Sequence, residues 1–323
     1  MKLQILIPQY KETDEVIKPL LDSIALQQGI NLQKEVGVII VNDGSDVHLT
    51  KKFLQSYPFE IKYFLNEHGG VSATRNACLD HATAEYVMFC DADDMFCNSC
   101  GLYIVFREID KGGFDSMVSV FIEEVRKDGE PIFINHKTDS TFVHGKIHRR
   151  KYLIDKKIRW NPELTLHEDS YFNCLCQKLS KNVKYCSTPF YLWRWRDDSV
   201  CRHDKQFILK TYDHLIDSNT ALVREFVDRG MINEAQFFTV SMVYSSYFTL
   251  NKDKWLNQDN KVYREKVERR FKEYYNEFKY LYEGIPVQIK NKIIMGIKNK
   301  MFSEGLILEK ITFDDWIANI ENM

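Results

Sequence analysis

Four short apolar runs punctuate the first hundred residues, and each is followed by a stretch with helical spacing. Leu3 to Pro8 reads as a buried strand, and Val16, Leu20, Leu21 and Ile24 recur at helical intervals within Asp14 to Leu26. Val36 to Val41 is a second buried run, followed by a shorter helical stretch from Leu49 to Tyr57. Ile61 to Leu65 is a third, after which Gly69 and Gly70 open a helix predicted to reach Ala82. Tyr86 to Cys90 is the fourth, and a helical segment near Asn98 to Ile109 follows it. Unbroken apolar runs suit strands covered on both faces, so the pattern predicts an α/β fold with a parallel sheet. Ligands of such sheets bind beyond the carboxyl ends of the strands. Three polar clusters fall there: Pro8-Gln9-Tyr10, Asn42-Asp43-Gly44-Ser45 and Asp91-Ala92-Asp93-Asp94. A mononucleotide or phosphate-bearing ligand is the expected occupant.

The spacing turns helical after His203, with segments near Phe207 to Arg229, Asn233 to Leu250, Lys261 to Tyr280 and Val287 to Met301. The 323 residues suggest about two domains at roughly 100–200 residues each. The division expected is 1–204 for the α/β domain and 205–323 for a helical C-terminal region. The last of those segments sets Val287, Ile293, Ile294, Ile297 and Met301 beside Lys290, Lys292, Lys298 and Lys300. Such a stripe packs on its own domain, makes an oligomer contact, or lies on an anionic membrane, and the first is expected here.

Composition narrows the partners. A net charge of -2 disfavours generic coating of nucleic acid. No run of about 18 apolar residues predicts a membrane span. The eight cysteines include Cys97 and Cys100 at knuckle spacing, but no second pair follows to complete a zinc site. A reducing cytoplasmic setting is expected.

Neither a GxGxxG after the first run nor a GxxxxGK[ST] is present, so dinucleotide and P-loop folds both lose support. A diphosphate then needs another anchor. Asp91, Asp93 and Asp94 place three carboxylates within four residues, and like charges held so close call for a cation. Magnesium accepts one or two protein carboxylates and fills its shell with phosphate oxygens.

Six motifs occur in one order: Ile7 to Glu12, Val41 to Ser45, Asn66 to Asn76, Asp91 to Asp94, His144 to Arg150 and His167 to Phe172. Together they resemble the family 2 glycosyltransferases over about residues 1–200. The resemblance implies a GT-A fold: a Rossmann-like, mostly parallel sheet with helices on both faces, here with the helical region added. It implies a UDP-sugar donor, Mn2+ or Mg2+, a glycan or glycolipid acceptor, and work at the inner face of the membrane or in the cytoplasm.

Carried onto these residues, Pro8, Tyr10 and Glu12 would line the nucleotide pocket and Asp43 would bond the uracil. Arg75 would reach the base or diphosphate. Asp91 would serve the ribose and the metal, Asp93 the metal, and Asp94 the donor sugar or acceptor. The family's general base falls on Asp169, with His167 and Glu168 toward the acceptor or donor sugar. Arg196, Ser199 and His203 would belong to a loop over the diphosphate, His203 as a metal or phosphate contact. Ordinary structural roles compete: a turn for Asp43-Gly44, a solvated side chain for Arg75, helix capping for Glu168-Asp169 and cation–π packing for Arg194 and Arg196.

The implied reaction is inverting transfer of a single sugar. An acceptor hydroxyl is a poor nucleophile, so a carboxylate must take its proton. The departing diphosphate gathers charge that cations must meet. A nucleotidyltransferase is the alternative enzyme, though its early glycine-rich basic signature is missing. A non-catalytic nucleotide-sugar-binding module is the alternative outside enzymes.

Overall fold

The computed structural model describes residues 1–197, 207–251, 261–303 and 311–322. The chain forms two compact units, Met1–Ser199 and Val200–Met323.

The first unit opens with β1 (Leu3–Gln9), α1 (Asp14–Ala25), α2 (Leu32–Glu35), β2 (Val36–Asp43), α3 (Lys51–Leu54), β3 (Glu60–Asn66), α4 (Gly70–His81) and β4 (Tyr86–Phe89). It continues with β5 (Met95–Phe96), α5 (Gly101–Asp110), β6 (Ser116–Lys127), β7 (Glu130–His136), β8 (Lys146–Arg149), α6 (Arg150–Asp155), α7 (Glu168–Lys178) and β9 (Val183–Trp193). The nine strands make one sheet in the order β3-β2-β1-β4-β8-β6-β9-β5, with β7 on β6. β3, β2, β1 and β4 run parallel, as the unbroken apolar runs predict. Every residue of β2 is buried, the mark of a strand covered on both faces. α1 buries Ile17, Leu20, Leu21 and Ile24, so Ile17 takes the core position expected of Val16.

Beyond β4 the sheet becomes mixed. β8 is antiparallel to β4 and β6, whereas β9 is parallel to β6. The β6–β7 hairpin escaped the sequence pattern for a physical reason. β7 exposes most of its length, including Ile132, Phe133 and Ile134, so it carries no core-facing alternation. The helix expected over Leu49 to Tyr57 shrinks to the single turn of α3.

Gly145 precedes β8 with φ at 65°, and a Cβ there would lie 2.4 Å from Ser119 Oγ. That hydroxyl donates to the Gly145 carbonyl at 2.7 Å. Gly145→Ala combines a left-handed backbone with a steric clash. It is expected to cost about 1–3 kcal/mol, read as a lower melting temperature.

Among its described residues the second unit has helices and no strand. Its helices are Phe207–Lys210, Tyr212–Asp228, Ile232–Leu250, Lys261–Gly284, Val287–Ser303 and Phe313–Asn322. Lys261–Gly284 buries Val267, Phe271, Tyr274, Tyr275, Phe278 and Leu281 at helical spacing. Ile294, from the stripe of the Val287–Ser303 helix, packs with Val240 and Ile285 inside this unit, while Val287 and Met295 face outward. Much of the aromatic content is spent here on ring packing, as in Phe271 against Trp316 and Tyr244 against Phe313. Among the described residues no helix is long and apolar enough to cross a membrane.

Candidate active site

Parallel register brings the carboxyl ends of β1, β2 and β4 to one edge, with Gln9 beside Asn42 and Leu6 beside Phe89. Buried amides shape the loops there. Gln9 Nε2 donates to the carbonyls of Glu12 and Val47 at 2.9 and 3.1 Å. Asn42 Oδ1 accepts from Ser45 N at 2.7 Å. Asp43 accepts from Gly69 N at 2.8 Å and from Gly70 N at 3.0 Å, so its carboxylate latches the start of α4. Gly44 makes room for that latch, since a Cβ would come within 2.5 Å of His68 N. Tyr10 is exposed at this edge, and its ring stacks on that of His68 at 5.0 Å. Glu12 accepts from Tyr10 N, and burial holds its carboxyl above the usual range. Pro8, at the end of β1, is half-buried.

The acidic loop leaves β4 and returns as β5, which pairs with the end of β9. Asp91 and Asp93 keep about a third of their side chains exposed, at 31% and 33%. Asp94 is fully buried and faces inward: it accepts from Tyr191 Oη at 2.6 Å and from Arg194 N at 3.0 Å, with His144 Nδ1 3.5 Å away. The Tyr191 hydroxyl also accepts from Asp91 N at 3.2 Å. Asp94 therefore ties the loop to β9 and presents no carboxylate to open space. Arg196 Nη1 reaches Asp93 at 3.3 Å, and Arg194 Nη1 donates to the Asp93 carbonyl at 3.2 Å. Burial and the neighbouring Asp91 charge hold Asp93 above its ordinary value. Ser199 and His203 lie outside the described residues.

Arg75 lies at the centre. It is 3% exposed, not the solvated side chain that a helix position suggests. Its Nη1 donates to Asp169 at 2.8 Å and Glu168 at 3.0 Å, and its Nη2 donates to Asp91 at 2.9 Å. The guanidinium lies 4.4 Å from the Trp160 ring centroid, and that ring stacks on Phe172 at 4.0 Å. Asn76 fixes the Trp160 backbone by donating to its carbonyl and accepting from its amide. Asp169 receives a second bond, from Val143 N at 2.9 Å. Burial, aided by Glu168 and Asp91 and opposed by Arg75, raises Asp169 to about 7. Burial also opposes ionisation of Asp91, yet Arg75 and His144 hold it below the usual range. His167 caps α7 with φ at 58°, a left-handed backbone placed directly before the carboxylate pair.

The donor set suits a hard divalent ion. Asp91, Asp94 and His144 offer ligand atoms within 4.8 Å of one another. Asp94 already has both oxygens bonded to the protein, whereas Asp91 and Asp93 are each about a third exposed. Their mutual repulsion is what a cation relieves.

Two residues of the His144-to-Arg150 motif, Lys146 and His148, are held in the core. Lys146 is buried, with its Nζ on the Phe142 carbonyl, and His148 is pushed down to about 3 by burial against Ser116. Tyr191, Trp160 and the Val143 amide carry no sequence signal of their own, since each matters only through a partner distant in the chain.

The family model described as glycosyl transferase family 2 matches residues 4–167. The chain belongs to this family. The match ends two residues before Asp169. The glycosyltransferase GlyA of Streptococcus pneumoniae is 25% identical over 228 residues, covering 62% of this chain and 32% of GlyA. TarS of Staphylococcus aureus, a poly(ribitol-phosphate) beta-N-acetylglucosaminyltransferase, is 25% identical over 207 residues, covering 60% of this chain and 35% of TarS. The chain thus spans about a third of the length of these two relatives. The crystal structure of TarS 1–349 with UDP superposes with a TM-score of 0.64 at 17% identity, covering 97% of this chain and 94% of that one. This family 2 chain therefore has the GT-A-like fold of that structure, with helices following the sheet domain.

Proposed function

We propose that the protein transfers a sugar from a UDP-sugar to an acceptor hydroxyl, with Asp169 as general base and inversion at the anomeric carbon. The observation that carries this is the joining of Asp91, at the nucleotide edge of the sheet, to Asp169 through a single guanidinium. A base must stand across the reacting carbon from the leaving diphosphate, and a common anchor fixes such a pair. Residues 1–204 are assigned the catalysis and 205–323 a supporting helical role. The similarity to TarS, a poly(ribitol-phosphate) beta-N-acetylglucosaminyltransferase, favours an acceptor in cell-surface polymer synthesis, and a cytoplasmic setting suits it.

Tyr10, with Pro8 and Glu12 beside it, is assigned to the nucleotide pocket. Asp43 supports that pocket by holding α4, and it is assigned to the uracil ring. Arg196 is assigned to the diphosphate, which it would meet by leaving Asp93, and Ser199 and His203 are assigned to the same loop. His167 and Glu168 border the acceptor side. Asp91 and Asp93 would hold Mn2+ or Mg2+, which when bound stabilises charge on the leaving diphosphate. Val143 N and Arg75 orient the Asp169 carboxylate, which takes the acceptor proton.

The general base must be ionised. With Asp169 raised to about 7 it is protonated below that pH, so transfer is expected to rise as pH increases through about 7 and then level off. A pH profile of kcat/KM for the acceptor checks this; a rate that falls over the same window would remove Asp169 as base. A calorimetric titration with UDP, alongside donor turnover, separates an enzyme from a binding module. Tight UDP binding with no turnover of any donor would favour the module.

A further inference from the structure

We propose that Arg75 acts as a positioning residue for the reaction and not as a nucleotide contact, holding the base Asp169 and the donor-side Asp91 at a fixed separation through one planar group. This rests on the glycosyl-transfer function proposed above. Each nitrogen at the tip of the side chain is committed to carboxylates. Nη1 divides its two hydrogens between Glu168 and Asp169, and Nη2 takes Asp91. The ring system behind it cannot yield easily, because Trp160 is itself sandwiched against Phe172 and its backbone is gripped from the next residue, Asn76. A side chain so buried and so stacked cannot swing toward a base or diphosphate without giving up all three bonds. The burial of a charge is tolerable only because those bonds are made.

The consequence is geometric. Asp169 is held at one oxygen by Arg75 and at the other by Val143 N, which fixes the plane of its carboxylate. Asp91 lies on the same guanidinium, so a shift at the donor edge is carried to the base through a rigid fork. Lysine keeps the charge but presents a single point on a flexible stem, and it cannot make the same three bonds.

The test compares wild type with Arg75→Lys and Glu168→Gln. Glu168→Gln keeps the Arg75 charge balanced by Asp91 and Asp169, and so reports on the network should Arg75→Lys fail to fold. UDP binding is measured by calorimetry with Mn2+, and kcat is expressed per UDP-binding site. That normalisation removes a merely structural loss of folded protein. For Arg75→Lys, kcat per site is expected to fall about 100-fold while the UDP Kd stays within about threefold. For Glu168→Gln the fall is about tenfold, again with UDP binding kept. A UDP Kd weakened in step with kcat would overturn the proposal in favour of a nucleotide contact. An unchanged kcat per site would overturn it as well. Wild-type protein that binds UDP but turns over no donor would instead defeat the glycosyl-transfer function, and the proposal with it.

Discussion

Replacing Asp169 by Asn should lower transfer by about 10²–10⁴-fold and leave UDP binding near that of wild type. Asn is close in shape and can still accept from Val143 N, so the loop over the base keeps one anchor. It cannot take a proton from the acceptor hydroxyl. The fold should survive, because Arg75 keeps Asp91 and Glu168 as partners. Part of the loss will come from the second oxygen, where an amide nitrogen meets the Arg75 fork instead of a carboxylate. Steady-state transfer and UDP calorimetry on the same preparation separate the two effects. Transfer at the wild-type rate would remove Asp169 from the chemistry.

The second large effect is expected at the acidic loop. Asp93→Ala should reduce turnover by about 10³-fold, on the scale of losing one strong electrostatic stabiliser of the transition state. Asp93 is a third exposed and its only described side-chain ion pair is with Arg196, so its removal should hardly change the melting temperature. Asp94→Ala should behave in the opposite way. That residue is buried against Tyr191 and the Arg194 amide, and its loss leaves donors unpaired in the core. A marked drop in melting temperature for Asp94→Ala, with little change for Asp93→Ala, would separate the ligand from the strut. Equal melting shifts would contradict that division.

The parallel half of the sheet was legible in the sequence because β1, β2 and β4 are buried along nearly their whole length and read as unbroken apolar runs. β7 was not, since an exposed strand has no reason to alternate. The clustering of Asp43 and Asp91 at one edge follows from strand ends alone. The meeting of Arg75 with Glu168 and Asp169 does not, because nothing local to α4 or α7 encodes a contact about 90 residues apart; the family resemblance named Arg75 and Asp169 separately and did not join them. Asp94 shows the converse: close in sequence to two carboxylates that are each about a third exposed, it points the other way once β5 pairs with β9. Burial separates residues that a motif presents as equals.

The proposed activity is metal-assisted transfer from a nucleotide sugar at this edge of the sheet. Release of UDP from a panel of UDP-sugars, with Mn2+ or Mg2+ and then with a chelator, tests it most directly. The expected result is turnover of at least one donor that chelation abolishes and added metal restores. No UDP release from any donor in the presence of either metal, or release indifferent to the chelator, would contradict it.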